Sequence, residues 1–126
     1  MHRQLASVLL GFLLLLPVVA NAVTEKDFQV KDTQSLINLC TAPQGDPLYD
    51  EAIHFCHGYL VGAFHYDRVI HATPDSKPLF CIPDPVPSRN ETINNFIYWV
   101  KSHPQYMNEV PVETEFRFLT ETWPCK

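Results

Sequence analysis

The chain has 126 residues, with fourteen Asp and Glu against nine Lys and Arg, and a formal charge of −5 with histidine neutral. An acidic chain without a basic cluster argues against nucleic acid and anionic membrane surfaces as partners. Its length allows one domain with one modest core.

His2, Arg3 and Gln4 make a short polar start, Leu5 to Ala20 is apolar, and Ala20-Asn21-Ala22 is a small-x-small site. This three-part pattern predicts an export signal over residues 1–22, cleaved after Ala22. The apolar run is short for a retained spanning helix and carries Pro17. Loss of Arg3 takes the formal charge to −6 from Val23 onward. No second apolar run of membrane length follows, so no membrane association is expected after cleavage. All four cysteines, Cys40, Cys56, Cys81 and Cys125, follow the signal. An even count in a small exported domain predicts two disulfides. An oxidised cysteine is neither a nucleophile nor a metal ligand.

Residues 23–32 are polar and read as a flexible lead-in. Asp32 or Thr33 then caps a short helix over 33–41, with Leu36, Ile37, Leu39 and Cys40 on its apolar side. "APQGDP" ends it. Asp46-Pro47 starts the longest helix, over 47–71, because Asp accepts from free backbone N–H groups and Pro fits the first helical position. Ala52, Cys56, Tyr59 or Leu60, Ala63 and Ile70 recur along it at spacings of three, four and seven. Gly58 and Gly62 lie inside this helix, each about 1 kcal/mol less favourable than alanine, so they are expected to admit a neighbouring backbone. Thr73 to Pro87 is a proline-rich return loop. Ser88 and Glu91 form a capping box ahead of a helix carrying Ile93, Phe96, Ile97 and Val100. His103-Pro104 stops that helix. A last helix begins near Val110-Pro111, with Phe116, Leu119, Val112 and Trp123 on its apolar side. The expected fold over 33–126 is all-α, a small disulfide-stapled bundle of four to five helices.

"HFCHGYLVGAFH", His54 to His65, packs three histidines and a cysteine into twelve positions. Covalent haem attachment needs Cys-x-x-Cys-His, and only the second cysteine is here. His54 and His57 can share a metal, but His65 is roughly 16 Å further along the helix, and two histidines are a fragment of a tetrahedral site. Cys56 and His57 are helix neighbours pointing in different directions, which excludes an on-helix nucleophile–base pair. Asp46, Asp50 and Glu51 sit at a helix N-terminus, where negative charge is favoured anyway. Glu113, Glu115 and Glu121 are spread along the last helix and read as ordinary helix electrostatics. Asn90-Glu91-Thr92 matches a glycosylation sequon but belongs to the capping box. The sequence therefore assigns no catalytic residue, metal ligand or cofactor.

Four motifs in order do carry a resemblance. "CHGYLVG", Cys56 to Gly62, followed by Asp67, is similar to the Cys-x-Gly-Tyr-x-x-Gly segment of the Rap/Tai-type immunity proteins. "FCIP", Phe80 to Pro83, resembles that family's Phe-Cys-x-Pro. "YWVKSHP", Tyr98 to Pro104, resembles its aromatic-rich helix ending in His-Pro. "WPC", Trp123 to Cys125, resembles its closing Phe-Pro-Cys, with Trp in place of Phe, and Cys40 matches its first cysteine. The motif residues are thus Cys56, Gly58, Tyr59, Gly62, Pro83, His103, Pro104 and Pro124. The resemblance implies a small exported helical protein, periplasmic and often homodimeric. It further implies a protein partner, a peptidoglycan amidase toxin delivered by type VI secretion, which the protein binds and blocks without catalysis.

Reach favours a Cys56–Cys81 disulfide. The helix beyond Cys56 travels roughly 22 Å, and an extended return to Cys81 covers roughly 30 Å. Cys40–Cys125 would then be the second bond. Cys40–Cys56 with Cys81–Cys125 stays open as the competitor, since spacing does not fix connectivity. Loops carry specificity on a stapled scaffold, so Asp75, Ser76 and Lys77, within Thr73 to Leu79, are the candidate partner-binding residues. The His103 to Glu109 turn is the second candidate. The alternatives are a periplasmic stress or chaperone-like protein, or a fully secreted protein without a toxin partner. A metal-handling protein using His54 and His57 ranks third.

Overall fold

The computed structural model describes residues 22–126, so the expected export signal, Ala22 apart, lies outside the described residues. Among the described residues four α-helices follow one another: α1 (Thr33–Cys40), α2 (Tyr49–Ile70), α3 (Arg89–Lys101) and α4 (Pro111–Thr122). Single 3₁₀ turns at Asp27–Gln29 and Pro104–Tyr106 precede α1 and join α3 to α4. No strand occurs among the described residues. The all-α, disulfide-stapled bundle expected from the sequence is the observed fold.

Caps and prolines set the helix ends. Asp32 caps α1, its Oδ1 accepting the Ser35 N–H at 2.8 Å. Two more free N–H groups of α1, on Thr33 and Gln34, donate to the carbonyls of Glu109 and Met107, each at 2.9 Å. Asp46 accepts the Leu48 N–H at 2.8 Å and the Tyr49 N–H at its carbonyl. Asp46 and Pro47 thus form a turn, and α2 starts two residues beyond Pro47. Ser88 caps α3 by accepting the Glu91 N–H at 3.2 Å. Pro111 occupies the first position of α4, where a missing N–H costs nothing.

The core is built from Leu36 and Leu39 of α1, Ala52, Cys56 and Leu60 of α2, Phe96 and Val100 of α3, and Phe118 and Leu119 of α4. Phe80 joins it from the return loop and is 1% exposed. Its ring lies among Phe64, Phe116 and Trp123, with centroids 5.8, 6.1 and 6.1 Å away. One loop residue thus anchors the return loop to α2, α4 and the chain end.

Four expectations are corrected. The disulfides are Cys40–Cys56 and Cys81–Cys125, not Cys56–Cys81 and Cys40–Cys125. The short 41–48 connection folds α2 back against α1, so Cys56 turns into the core beside Cys40. Cys81 runs beside the chain end instead, its N–H donating to the Trp123 carbonyl at 2.8 Å. Reach permitted both patterns; the facing of α2 selected one. The 23–32 lead-in is packed rather than loose. Val23 and Asp27 are buried, and Val23 N–H donates to Asp46 Oδ2 at 2.8 Å.

The inward side of α4 also differs from the expected one. Its buried residues are Pro111, Thr114, Glu115, Phe118 and Leu119, while Phe116 is half-buried and Val112 exposed. The stripe is rotated from the one read off apolar identity. Last, Gly58 and Gly62 face open space. A Cβ at either would meet nothing within 4 Å, so neither is required by packing within this chain.

Candidate functional site

The motif residues converge on architecture. Cys56 is buried in its disulfide. Tyr59 is half-buried on α2. Burial, then the nearby Glu115, push the Tyr59 hydroxyl above its ordinary pKa, with the Val112 amide opposing them. Phe80, Cys81 and Trp123 to Cys125 form the second stapled junction, flanked by exposed Pro83 and Pro124. His103 stacks on Trp99 at 4.2 Å and directs Nδ1 to the Trp99 carbonyl at 2.7 Å. Pro104 then opens the 3₁₀ turn, and Tyr106 extends the stack. Arg117 lies 5.0 Å over the Tyr106 ring and pairs with Glu109 and Glu113. The His103 to Glu109 turn is thus committed to holding α1 and α4, as its carbonyl bonds to Thr33 and Gln34 show.

The Thr73 to Leu79 loop makes no comparable commitment. Asp75 and Lys77 are exposed, and Leu79 is 51% exposed. Ser76 closes a local turn, with its N–H and hydroxyl both donating to the Thr73 carbonyl. The histidines stay apart. His54 and His65 are exposed, while His71 reaches Asp67 through Nδ1 at 2.8 Å. No three His, Cys, Asp or Glu among the described residues come together as a metal would need.

A cleft of about 200 Å³ opens between α2, the return loop, α3, α4 and Trp123. Leu60, Phe64, Ile82, Ile93, Leu119 and Trp123 make most of its wall. His65 and Arg89, both exposed, stand at its edge, and Glu115 is its buried acid.

The family model for Rap1a immunity proteins matches residues 32–125, which include all four cysteines and every motif above. The chain belongs to the Rap1a immunity protein family. No curated protein and no solved structure matches it. Among the described residues, no helix is long and apolar enough to cross a membrane.

In this Rap1a-family protein the charged group that stands out is one that sequence reasoning set aside. Glu115 is 5% exposed, and its Oε2 has no hydrogen-bond partner. Burial pushes its carboxyl up to about 9, so it is mostly protonated at neutral pH. Asp27, one of two further buried acids, shows the opposite balance. Burial alone would raise Asp27, but hydrogen bonds from the Asn38 side chain and from Thr24 outweigh it and lower the carboxyl. The signal for Glu115 was in the spacing. It lies four after Pro111 and four before Leu119, on the stripe that faces inward.

Proposed function

We propose that this Rap1a-family protein is an exported, non-enzymatic inhibitor that binds a peptidoglycan amidase toxin in the periplasm. Family membership supports immunity against a toxin. The observation that carries the reading is the division of labour between loops. The motif-bearing turns are locked into the scaffold, whereas the polar loop at Asp75, Ser76 and Lys77 is presented outward from the end of α2. A scaffold fixed by two disulfides and a free loop of variable chemistry is how specificity is carried on a small domain.

A second copy belongs to the same reading. Gly58, Gly62, Tyr66 and Val69 form one exposed stripe along α2, with Tyr66 68% and Val69 72% exposed. Such a bare helix face supports a homodimer, which sedimentation of the purified protein measures directly.

The test is purification of the tagged protein from the periplasm of its own host, without reductant, followed by mass spectrometry of what accompanies it. A stoichiometric cell-wall amidase, inhibited in a peptidoglycan digestion assay, is the expected result. Replacing Asp75 and Lys77 by alanine should weaken that inhibition at least tenfold while leaving thermal stability unchanged. Recovery of only a spread of unrelated unfolded proteins would overturn the reading in favour of a chaperone-like role.

A further inference from the structure

Glu115 Oε2 has no hydrogen-bond partner, whereas the other buried polar side chains among the described residues are paired. Asp27 accepts from Thr24 and Asn38, Thr33 and Thr114 bond each other at 2.7 Å, and Asp67 pairs with His71. Among the described residues, Glu115 alone of the buried charged and polar side chains carries a fully buried atom with no partner. An unpaired buried polar atom is destabilising and rare. This one lies in the wall of an open cleft, so a partner has a path to it.

We propose that the cleft receives a lysine side chain of the protein partner, with its four-carbon stem against the apolar wall and its ammonium on Glu115. This deepens the partner-binding reading above and rests on it.

Three features select lysine. The unpaired group is an acid, and the chain from Val23 onward carries a formal charge of −6, which favours a basic partner. Leu60, Phe64, Ile82 and Trp123 match an aliphatic stem, because lysine buries its methylenes readily when its ammonium finds a charge. A compact ammonium on a slender stem also fits a cleft of about 200 Å³ better than a broad planar guanidinium. The other ionisable groups facing this space are Tyr59 and His65 from α2 and Arg89 from α3. Arg89 and His65 are exposed and water-screened, so they oppose a cation less than the buried carboxylate attracts it.

The chemistry is one proton transfer to solvent. Glu115 enters the cleft's empty state protonated and loses its proton as the ammonium arrives. Affinity for the cation should therefore rise with pH, about tenfold per unit below the carboxyl's pKa.

The probe is n-butylammonium, the lysine side chain without its backbone, with butyramide as the neutral control. Each is titrated into the ¹⁵N-labelled chain from Val23 and followed by NMR at Leu60, Phe64 and Trp123. The expected result is saturable millimolar binding of n-butylammonium, tightening about tenfold between pH 6 and 7 and again between 7 and 8. Butyramide should bind at least tenfold more weakly. Glu115→Gln should lose both the binding and its pH dependence, while keeping the wild-type spectrum elsewhere. Equal binding by Glu115→Gln, preference for butyramide, or no response at these residues would each overturn the proposal. The assay contains no toxin, so these outcomes strike the cleft alone. Failure to recover an amidase strikes the inhibitor reading whatever the cleft binds.

Discussion

The α1–α2 end of the molecule and the cleft end solve the same problem differently. At the first end the disulfide is buried, with Cys40 8% and Cys56 1% exposed, and the polar side chains enclosed with it are paired. At the cleft end the disulfide joins two exposed cysteines, and the buried acid is unpaired. The first end is arranged for stability. The second carries a stability cost that evolution has not removed, which is the pattern expected where a surface has another task.

The comparison can be broken at each end. The largest effect should come from Cys40→Ala with Cys56→Ala. Opening a loop with a sequence separation of 16 costs about 3 kcal/mol by chain entropy, and two buried sulfurs add about 1 kcal/mol each. Urea unfolding should register a loss of roughly 5 kcal/mol. Cys81→Ala with Cys125→Ala opens a longer loop, with a separation of 44, but removes no core, so about 4 kcal/mol should be lost. Under mild reductant the Cys81–Cys125 bond should open first, because both sulfurs belong to exposed residues, and alkylation with mass spectrometry reads the order. Simultaneous labelling of all four cysteines would mean that the two ends unfold together and are not separate regions.

Glu115 gives the next effect, and with the opposite sign. Its carboxyl is raised in the fold from 4.5 to about 9. Its contribution is thus fully favourable below pH 4.5 and is lost progressively as pH rises toward 9. At pH 7 the loss relative to acid is about 3 kcal/mol, at 1.36 kcal/mol per pH unit. Glu115→Gln should be more stable than the wild type by about that amount at pH 7 and by more at pH 9, and indistinguishable near pH 4.5. Urea titrations at the three pH values check this.

At the paired end, Thr33→Val should cost about 1 to 2 kcal/mol, because it leaves the Thr114 hydroxyl buried with only a 3.5 Å contact to the Tyr106 carbonyl. Thr33→Val with Thr114→Val should cost less than twice the single change, which a double-mutant cycle would show. The smallest effect lies on the outer face of α2. Gly58→Ala and Gly62→Ala should each stabilise the monomer by about 0.5 to 1 kcal/mol, since a Cβ meets nothing at either position. A loss of dimer in the same variants, seen by sedimentation, would show that the glycines serve a second copy.

Much of this was legible in the sequence, and the exceptions have physical reasons. Asp32, Ser88, Pro104 and Pro111 mark helix ends by local chemistry, so the elements came through within one or two residues. Cysteine pairing did not, because chain reach is a weak constraint and the decisive fact, that Cys56 faces α1, is tertiary. The phase of α4 was misread because Val112 and Phe116 are apolar by type. Pro111 and Leu119 fix the inward stripe, and Thr114 and Glu115 fall on it. Glu115 was passed over for the same reason: a glutamate on a helix is usually wet, and only spacing argued otherwise. The Thr73 to Leu79 loop was visible from its prolines, whereas the commitment of the His103 to Glu109 turn depends on carbonyls that sequence does not display.

The contact between Val23 and Asp46 would let the fold register the cleavage proposed after Ala22. With residues upstream attached, Val23 offers an amide N–H to Asp46 Oδ2 at 2.8 Å. In a chain that begins at Val23 the same nitrogen is an α-ammonium, and a bond charged on the carboxylate side alone becomes an ion pair between two full charges. Asp46 also accepts from Leu48 at the entry to α2. Cleavage at the proposed site would thereby tighten the start of the helix that carries Cys56, the half of the buried disulfide that must turn toward Cys40.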